Sequence, residues 1–293
     1  MVPGLPAHLA HLTPRILAHG QGYVDLEFYG YPPLAETYLY GAWDVGAWAL
    51  ALDAIDDVAN SLHSEHAELP PLAASAVLRA MYLEKTAERL GDVLADGALA
   101  PLRGDGLIVN GRHSLGLEAG LAMLGSLADA VGLCAPRPLG IVHGDLCLSN
   151  ILFDRRNGIV RLVDPRGSFG GLPLHGDPRY DHAKLAHSIH GDYDHIVRGL
   201  FDLHLASGAA RLEVQLTATQ RAVKRLYAER AARRFADNLE RVRLIEALLF
   251  LSMLPLHCDR PRSQLAFAAR GLELLTGVAE RAGMFGEPLR VAA

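Results

Sequence analysis

The tetrapeptide Arg155-Arg-Asn-Gly158 separates two short apolar runs, Ile151-Leu-Phe-Asp154 and Ile159-Val-Arg-Leu-Val163. Asn-Gly between such runs is among the strongest short-range hairpin signals, because both residues tolerate the positive φ that a tight turn demands. The sequence therefore predicts two antiparallel strands, 151–154 and 159–163, joined by a turn. Polar residues bracket them. His143-Gly-Asp-Leu-Cys-Leu-Ser-Asn150 leads in, and Asp164-Pro-Arg-Gly-Ser-Phe-Gly170 leads out. Asp145, Asn150 and Asp164 are thereby expected at adjoining ends of two paired strands. Hard oxygen ligands placed this way suit Mg²⁺, which uses one or two carboxylates together with substrate phosphates. A further Asp close by but off the metal can orient an attacking hydroxyl and accept its proton. Taken singly, Asp145 and Asn150 are equally well read as turn formers. Taken together, the Asp-x4-Asn spacing, the hairpin and its closing Asp favour a site.

The rest of the chain reads as α+β. Residues 22–30 predict one strand followed by a turn. Helical spacing of apolar residues runs over 44–66, with Asp44 as cap, over 70–94, started by Pro70-Pro71, and over 115–131. Ile141-Val142-His143 reads as extended. Beyond Pro178 the pattern is helical almost to the end, broken near Gly191, Gly208, Pro255-Leu256 and Pro261. Asp177 before Pro178 reads as a helix cap. The expected architecture is a small β-containing N-terminal part and a mostly helical body with one hairpin set into it. A chain of 293 residues, half of them hydrophobic, can bury one large core or two modest ones. A net charge of -5 argues against a nucleic-acid partner, which requires a basic face. The longest apolar run, 247–256, contains Ser252 and Pro255, so no membrane span is expected. The N-terminus lacks the basic start and apolar stretch of a secretion signal. The three cysteines, Cys134, Cys147 and Cys258, are too scattered for a disulfide framework, and a cytoplasmic address is expected.

HGDLCLSNILFD followed by IVRLVDPRG resembles the catalytic and metal loops of the aminoglycoside phosphotransferase and choline kinase group, which shares the protein-kinase fold. Gly144 stands where protein kinases carry Arg, and the second motif reads Asp164-Pro165-Arg166. Gly176-Asp-Pro-Arg-Tyr-Asp181 resembles that group's G-D-P-x-x-D segment. The resemblance implies a protein-kinase-like α+β fold: a small, incomplete N-terminal lobe and hinge over 1–43, and a helical C-lobe over 44–293. It implies Mg²⁺-dependent transfer of a phosphoryl group from ATP or GTP to the hydroxyl of a small polar acceptor such as a sugar, polyol or amino alcohol. Asp145 would be the base and His143 the brace of its loop, while Asn150 and Asp164 would hold the metal and the nucleotide. Leu26-Glu-Phe-Tyr-Gly-Tyr31 resembles the hinge strand, which puts Glu27 and Tyr29 beside the nucleotide. Arg166 would pair with a substrate anion or bridge to Asp181, itself expected to hold the region after the metal loop. Tyr82, Lys85 and Arg89 fall at i, i+3 and i+7 of one predicted helix face. Facing the cleft they would contact an anionic acceptor; facing water they would be an ordinary charged stripe. Arg166, Tyr82, Lys85, Arg89 and Asp181 are the candidate substrate-side residues.

One part of the pattern is missing. Kinases need a flexible lid over the phosphates and a strand lysine. No lysine precedes Lys85, and Gly20-Gln-Gly22 is too short and isolated to be a lid. The upper lobe is therefore expected to be incomplete. An upstream segment or a partner chain would complete it, or the protein would be a silent pseudokinase acting as a binding or regulatory module. Arg15 offers a charge, though a planar guanidinium is no equivalent of an ammonium.

Overall fold

The computed structural model describes residues 4–94 and 97–286. Its helices begin where the chain supplies caps. The Asp44 carboxylate accepts from the Ala47 N–H at 2.7 Å and opens Val45–His63. Along that helix Trp48, Ala51, Leu52, Ile55, Ala59 and Leu62 recur every three or four residues and are buried. They share a core with Ile151, Phe153, Val160 and Leu162 of the central hairpin and with Leu185 and Ile189. A second, larger core gathers Leu244, Leu248, Phe250, Phe267 and Leu272 from Leu239–Ser252 and Pro261–Arg281. Val142 belongs to this core, whereas Ile141 and Leu146 belong to the first. The segment that carries the polar motif thus runs along the seam between two cores.

The central hairpin pairs Ile151–Asp154 with Ile159–Leu162, antiparallel, in the register Ile151↔Leu162 to Asp154↔Ile159. Asp154 ties the turn by accepting from the backbone N–H groups of Arg156 and Asn157, and Gly158 sits at φ 67°. At the open end the Val163 N–H donates to the Asn150 carbonyl at 3.0 Å, holding the two loops side by side. Ahead of the hairpin, Leu139–Ile141 pairs with both His66–Ala67 and His175–Gly176.

Three departures from the sequence reading stand out. The strand expected within 22–30 is present as Tyr23–Leu26, but its partner strand was not expected. Tyr23–Leu26 pairs with Ile16–Gly20 in a hairpin whose turn, Gln21-Gly22, has Gly22 at φ 83°. Gly20-Gln-Gly22 is therefore the corner of a strand-turn-strand unit; the flanking strands are too short to announce themselves by alternation. Second, Gly208 breaks no helix. It turns a hairpin, Phe201–Ala206 with Ala209–Val214. Third, Gly106–Val109 and Arg112–Leu115 form a further hairpin around Asn110 and Gly111, at φ 51° and 77°. These four strands join into one sheet through the parallel pairing of Ala209–Val214 with Gly106–Val109. Asn110-Gly111 carries the same turn signal as Asn157-Gly158 and could have been read from the sequence. Among the described residues no helix is long and apolar enough to cross a membrane.

Candidate active site

The loop entering the hairpin is built around one buried carboxylate. Asp181, in the first turn of Pro178–Ile189, is fully buried. It accepts from the backbone N–H groups of His143 and Gly144, each at 2.8 Å, and meets His63 Nε2 at 3.1 Å. Gly144 adopts φ 76°, and a Cβ there would lie 2.7 Å from Arg166 Cβ. This close approach of the two loops explains why the position holds glycine. His143 Nδ1 accepts from the Asp145 N–H at 3.2 Å, so its Nε2–H is the group that donates to the Val163 carbonyl at 3.0 Å. One imidazole thereby spans both loops.

Asp145 has both carboxylate oxygens engaged. Lys184 Nζ lies 2.7 Å from Oδ1, and Asn150 Nδ2 donates to Oδ2 at 3.2 Å and to the Asp145 carbonyl at 2.9 Å. Burial alone would lower the pKa of Lys184. Tyr180, Asp145 and Cys147 outweigh it and hold the ammonium above its ordinary value, so this cation stays charged. Asn150 keeps its amide oxygen nearly free, with only Ser149 Oγ at 3.5 Å. Asp164 stands in the left-handed region at φ 55°, and among the described residues its carboxylate has no hydrogen-bond or ion-pair partner. A non-glycine residue held there costs energy, and such strain gathers at functional sites. Asp145 and Asp164 line the same cavity, about 400 Å³ in volume.

A model of the phosphotransferase enzyme family, APH, matches residues 14–195, well over half of the chain. The chain belongs to that phosphotransferase family. The matched span takes in both loops, the central hairpin and the helix that carries Asp181 and Lys184. Comparison with curated proteins and with solved structures found no match.

The other candidates separate into two groups. Lys85, Arg89 and Arg166 line the cavity. Tyr82 and Asp181 do not. Tyr82 is buried and donates to Asp177 at 2.9 Å, and Asp181 is consumed by the loop. The expectation that both are substrate-side residues is corrected. For Tyr82 the reason is a π-helical turn, Ala80–Glu84, between Pro71–Arg79 and Lys85–Leu94. Its wider winding takes Tyr82 out of phase with Lys85 and Arg89, so i, i+3, i+7 no longer describes one face. Arg166 does not bridge to Asp181; its Nη1 donates to the Tyr180 hydroxyl at 2.9 Å. Glu27 and Tyr29 lie outside the cavity and engage each other. Arg15 forks onto Glu27 at 2.9 and 3.1 Å, and the Tyr29 hydroxyl donates to the same carboxylate at 2.9 Å. The hydrogen bonds from Arg15 and then Tyr29 pull the Glu27 pKa down to about 2.

Lys184, Tyr180 and Tyr193 also line the cavity and escaped the sequence reading, and His257 lines it as well. Lys184 had a readable signal, since it follows Asp181 by three positions on one helix and so shares its face. Cys147 is buried inside the loop, and burial, then Asp145, pushes its thiol up to about 11. It stays a thiol and is no nucleophile.

Proposed function

We propose that this member of the phosphotransferase family is a small-molecule kinase of protein-kinase-like layout, moving the γ-phosphoryl of ATP or GTP onto an acceptor hydroxyl. The observation that carries the reading is the pairing, on one cavity, of Asp145 held by Lys184 and Asn150 with a strained, partnerless Asp164. Asn150 Oδ1 and the Asp164 carboxylate are hard oxygen donors that the protein leaves largely unused, which fits Mg²⁺. Among the described residues no three His, Cys, Asp or Glu side chains gather around a metal position, so most of its ligands would be phosphate oxygens and water. When bound, the ion neutralises phosphate charge. Asp145 orients the acceptor hydroxyl and takes its proton as the new P–O bond forms and the bond to the leaving nucleoside diphosphate breaks. Lys184 and Asn150 fix the carboxylate in that pose, and His143 and Asp181 fix the loop. The hairpin Ile16–Gly20 and Tyr23–Leu26, with Glu27 and Tyr29 after it, would stand on the nucleotide side. Three free cysteines suit a reducing cytoplasm.

One observation favours a second reading, a module that binds without transferring. No lysine precedes Lys85, and both N-terminal strands are exposed along their whole length. ADP formation against a panel of sugars, polyols and their phosphates decides between the two. For the kinase, Asp145→Asn lowers transfer roughly 10²–10⁴-fold while MgATP affinity stays within about threefold. Asp164→Ala weakens MgATP binding about tenfold or more. Equal loss of nucleotide affinity in both variants refutes the division of labour, and absence of transfer with intact MgATP binding selects the silent module.

A further inference from the structure

Several half-buried or buried cations elsewhere in this molecule meet carboxylates. Arg179 and Arg137 meet Asp177, Lys224 and Arg270 meet Asp192, and Arg230 meets Asp53 and Asp56. The cavity beside Asp145 breaks that pattern. Lys85, Arg89, Arg166 and Lys184 line it with only two carboxylates, Asp145 and Asp164. Lys184 is the one paired with an anion, Asp145. Among the described residues the Lys85 ammonium has Met81 Sδ at 3.5 Å and the Tyr180 ring, 5.7 Å to its centroid. Arg89 donates to the Ser252 carbonyl at 3.0 Å, and Arg166 to the Tyr180 hydroxyl. Among the described residues none of these three has a carboxylate partner, although the chain carries 33 acidic residues against 28 basic ones. Lys85 and Arg89 are half-buried and Arg166 is exposed; like charges gathered without a counter-ion repel one another, and the half-buried ones also lose hydration.

The cost is visible at Lys85. Burial, then Arg166, Arg89 and Lys184, bring its pKa down to about 7. An incoming anion would relieve all of these strains at once, whereas an amine would add to them.

Granting the kinase reading above, we propose that the acceptor carries an anionic group of its own, a phosphate or carboxylate, held by Lys85 and Arg89 with Arg166. The substrate class is then a phosphorylated or acidic sugar or polyol, not an amino alcohol. The volume of the cavity, about 400 Å³, suits a molecule of that size. Lys85 and Arg89 lie on Lys85–Leu94, and Leu249, Ser252 and Met253 complete that side from near the end of the chain. These elements are separate from the two loops assigned to metal and base. The same chemistry could instead serve the triphosphate tail of the nucleotide, and the experiment must separate the two.

Isothermal titration of the full chain, free of nucleotide, would use inorganic phosphate, glucose 6-phosphate, glucose and glucosamine as probes. The expected result is binding of the two anions at least about tenfold tighter than of glucose or glucosamine. Lys85→Met and Arg89→Gln should each weaken the anions by about ten- to a hundredfold, the size of one lost charge-assisted hydrogen bond. Lys85→Arg should retain most of the binding, which controls for misfolding, and MgATP affinity should stay within about twofold in all three. Anions that bind no better than glucose or glucosamine overturn the proposal, as does a preference that survives both substitutions. Competition of the anions with MgATP, with parallel loss of MgATP affinity in the variants, assigns the cluster to the nucleotide and also overturns it. These arms need no turnover, so their failure is distinguishable from failure of the kinase reading.

Discussion

Two hairpins of this chain have strands of similar length and opposite surroundings. Ile16–Gly20 with Tyr23–Leu26 exposes every residue, and Leu17 is 64% exposed. Ile151–Asp154 with Ile159–Leu162 alternates, with Ile151, Phe153, Val160 and Leu162 in the core and their neighbours half-buried. Each turn uses a glycine at positive φ, Gly22 and Gly158. Turn chemistry therefore starts both and distinguishes neither. Burial distinguishes them. With one face against a core, register is strongly specified, because a one-residue slip would carry Phe153 and Val160 into water. The N-terminal pair lacks that constraint and carries a bulge between Ile16 and Ala18. A two-stranded hairpin alone is marginal in water, and here the Arg15–Glu27–Tyr29 cluster fastens its base. The buried hairpin can hold the loops at 143–150 and 164–170 at fixed separation; the exposed one cannot fix anything so firmly.

The sharpest way to break this comparison is to remove one apolar side chain from each. Phe153→Ala, which also loses an edge contact with Trp43, should cost about 3–5 kcal/mol in urea unfolding. Leu17→Ala should change stability by no more than about 0.5 kcal/mol. Equal losses would mean that the N-terminal hairpin is packed in solution. A smaller effect is expected at the turns. Gly158→Ala meets open space but a left-handed backbone and should lower global stability by about 1 kcal/mol. Gly22→Ala, equally open and also left-handed, should fray only its own hairpin and leave the global midpoint unchanged.

The smallest effect is an acid-sensitive one. Glu27 has its pKa depressed from 4.5 to about 2 in the folded protein, so its contribution is present above pH 4.5 and is lost as pH falls toward 2. Hydrogen exchange should show the Glu27 N–H, bonded to the Arg15 carbonyl at 2.9 Å, losing protection across that window. Asp154 in the other turn is also depressed, mainly by Asn157, yet the Val163 N–H should stay protected because the strands beneath it rest on the core. Simultaneous loss at both sites would show that acid unfolds the whole chain before it loosens either hairpin.

Much of the site could be read from the linear chain because its parts are near neighbours in it. Asp145 to Asn150 spans one loop, Asn157-Gly158 sets the strand pairing, and Asp177-Pro178 starts the helix beneath. The helix caps at Asp44 and Asp177 belong to the same class, a side chain satisfying N–H groups two or three residues on. The four-stranded sheet was not legible as a whole, since Ala209 pairs with Ile108 across a hundred residues of chain. Nor was the fate of Tyr82, because a single wide turn shifts a helix face and leaves no mark in apolar spacing.

By itself the sequence determined the turn of the central hairpin, the helix starts at Asp44 and at Asp177-Pro178, and which three polar residues flank that hairpin. All of these depend on backbone φ and on hydrogen bonds between residues a few positions apart. Only the tertiary structure decided which charges meet. Lys184 reaches Asp145 from another element, Asp181 satisfies a loop almost forty residues before it, and Lys85, Arg89 and Arg166 come together on one cavity, none of them paired with a carboxylate among the described residues. The physical reason is that the energy of a charge depends on its distance to others and on the water it has lost, and both are set by folding.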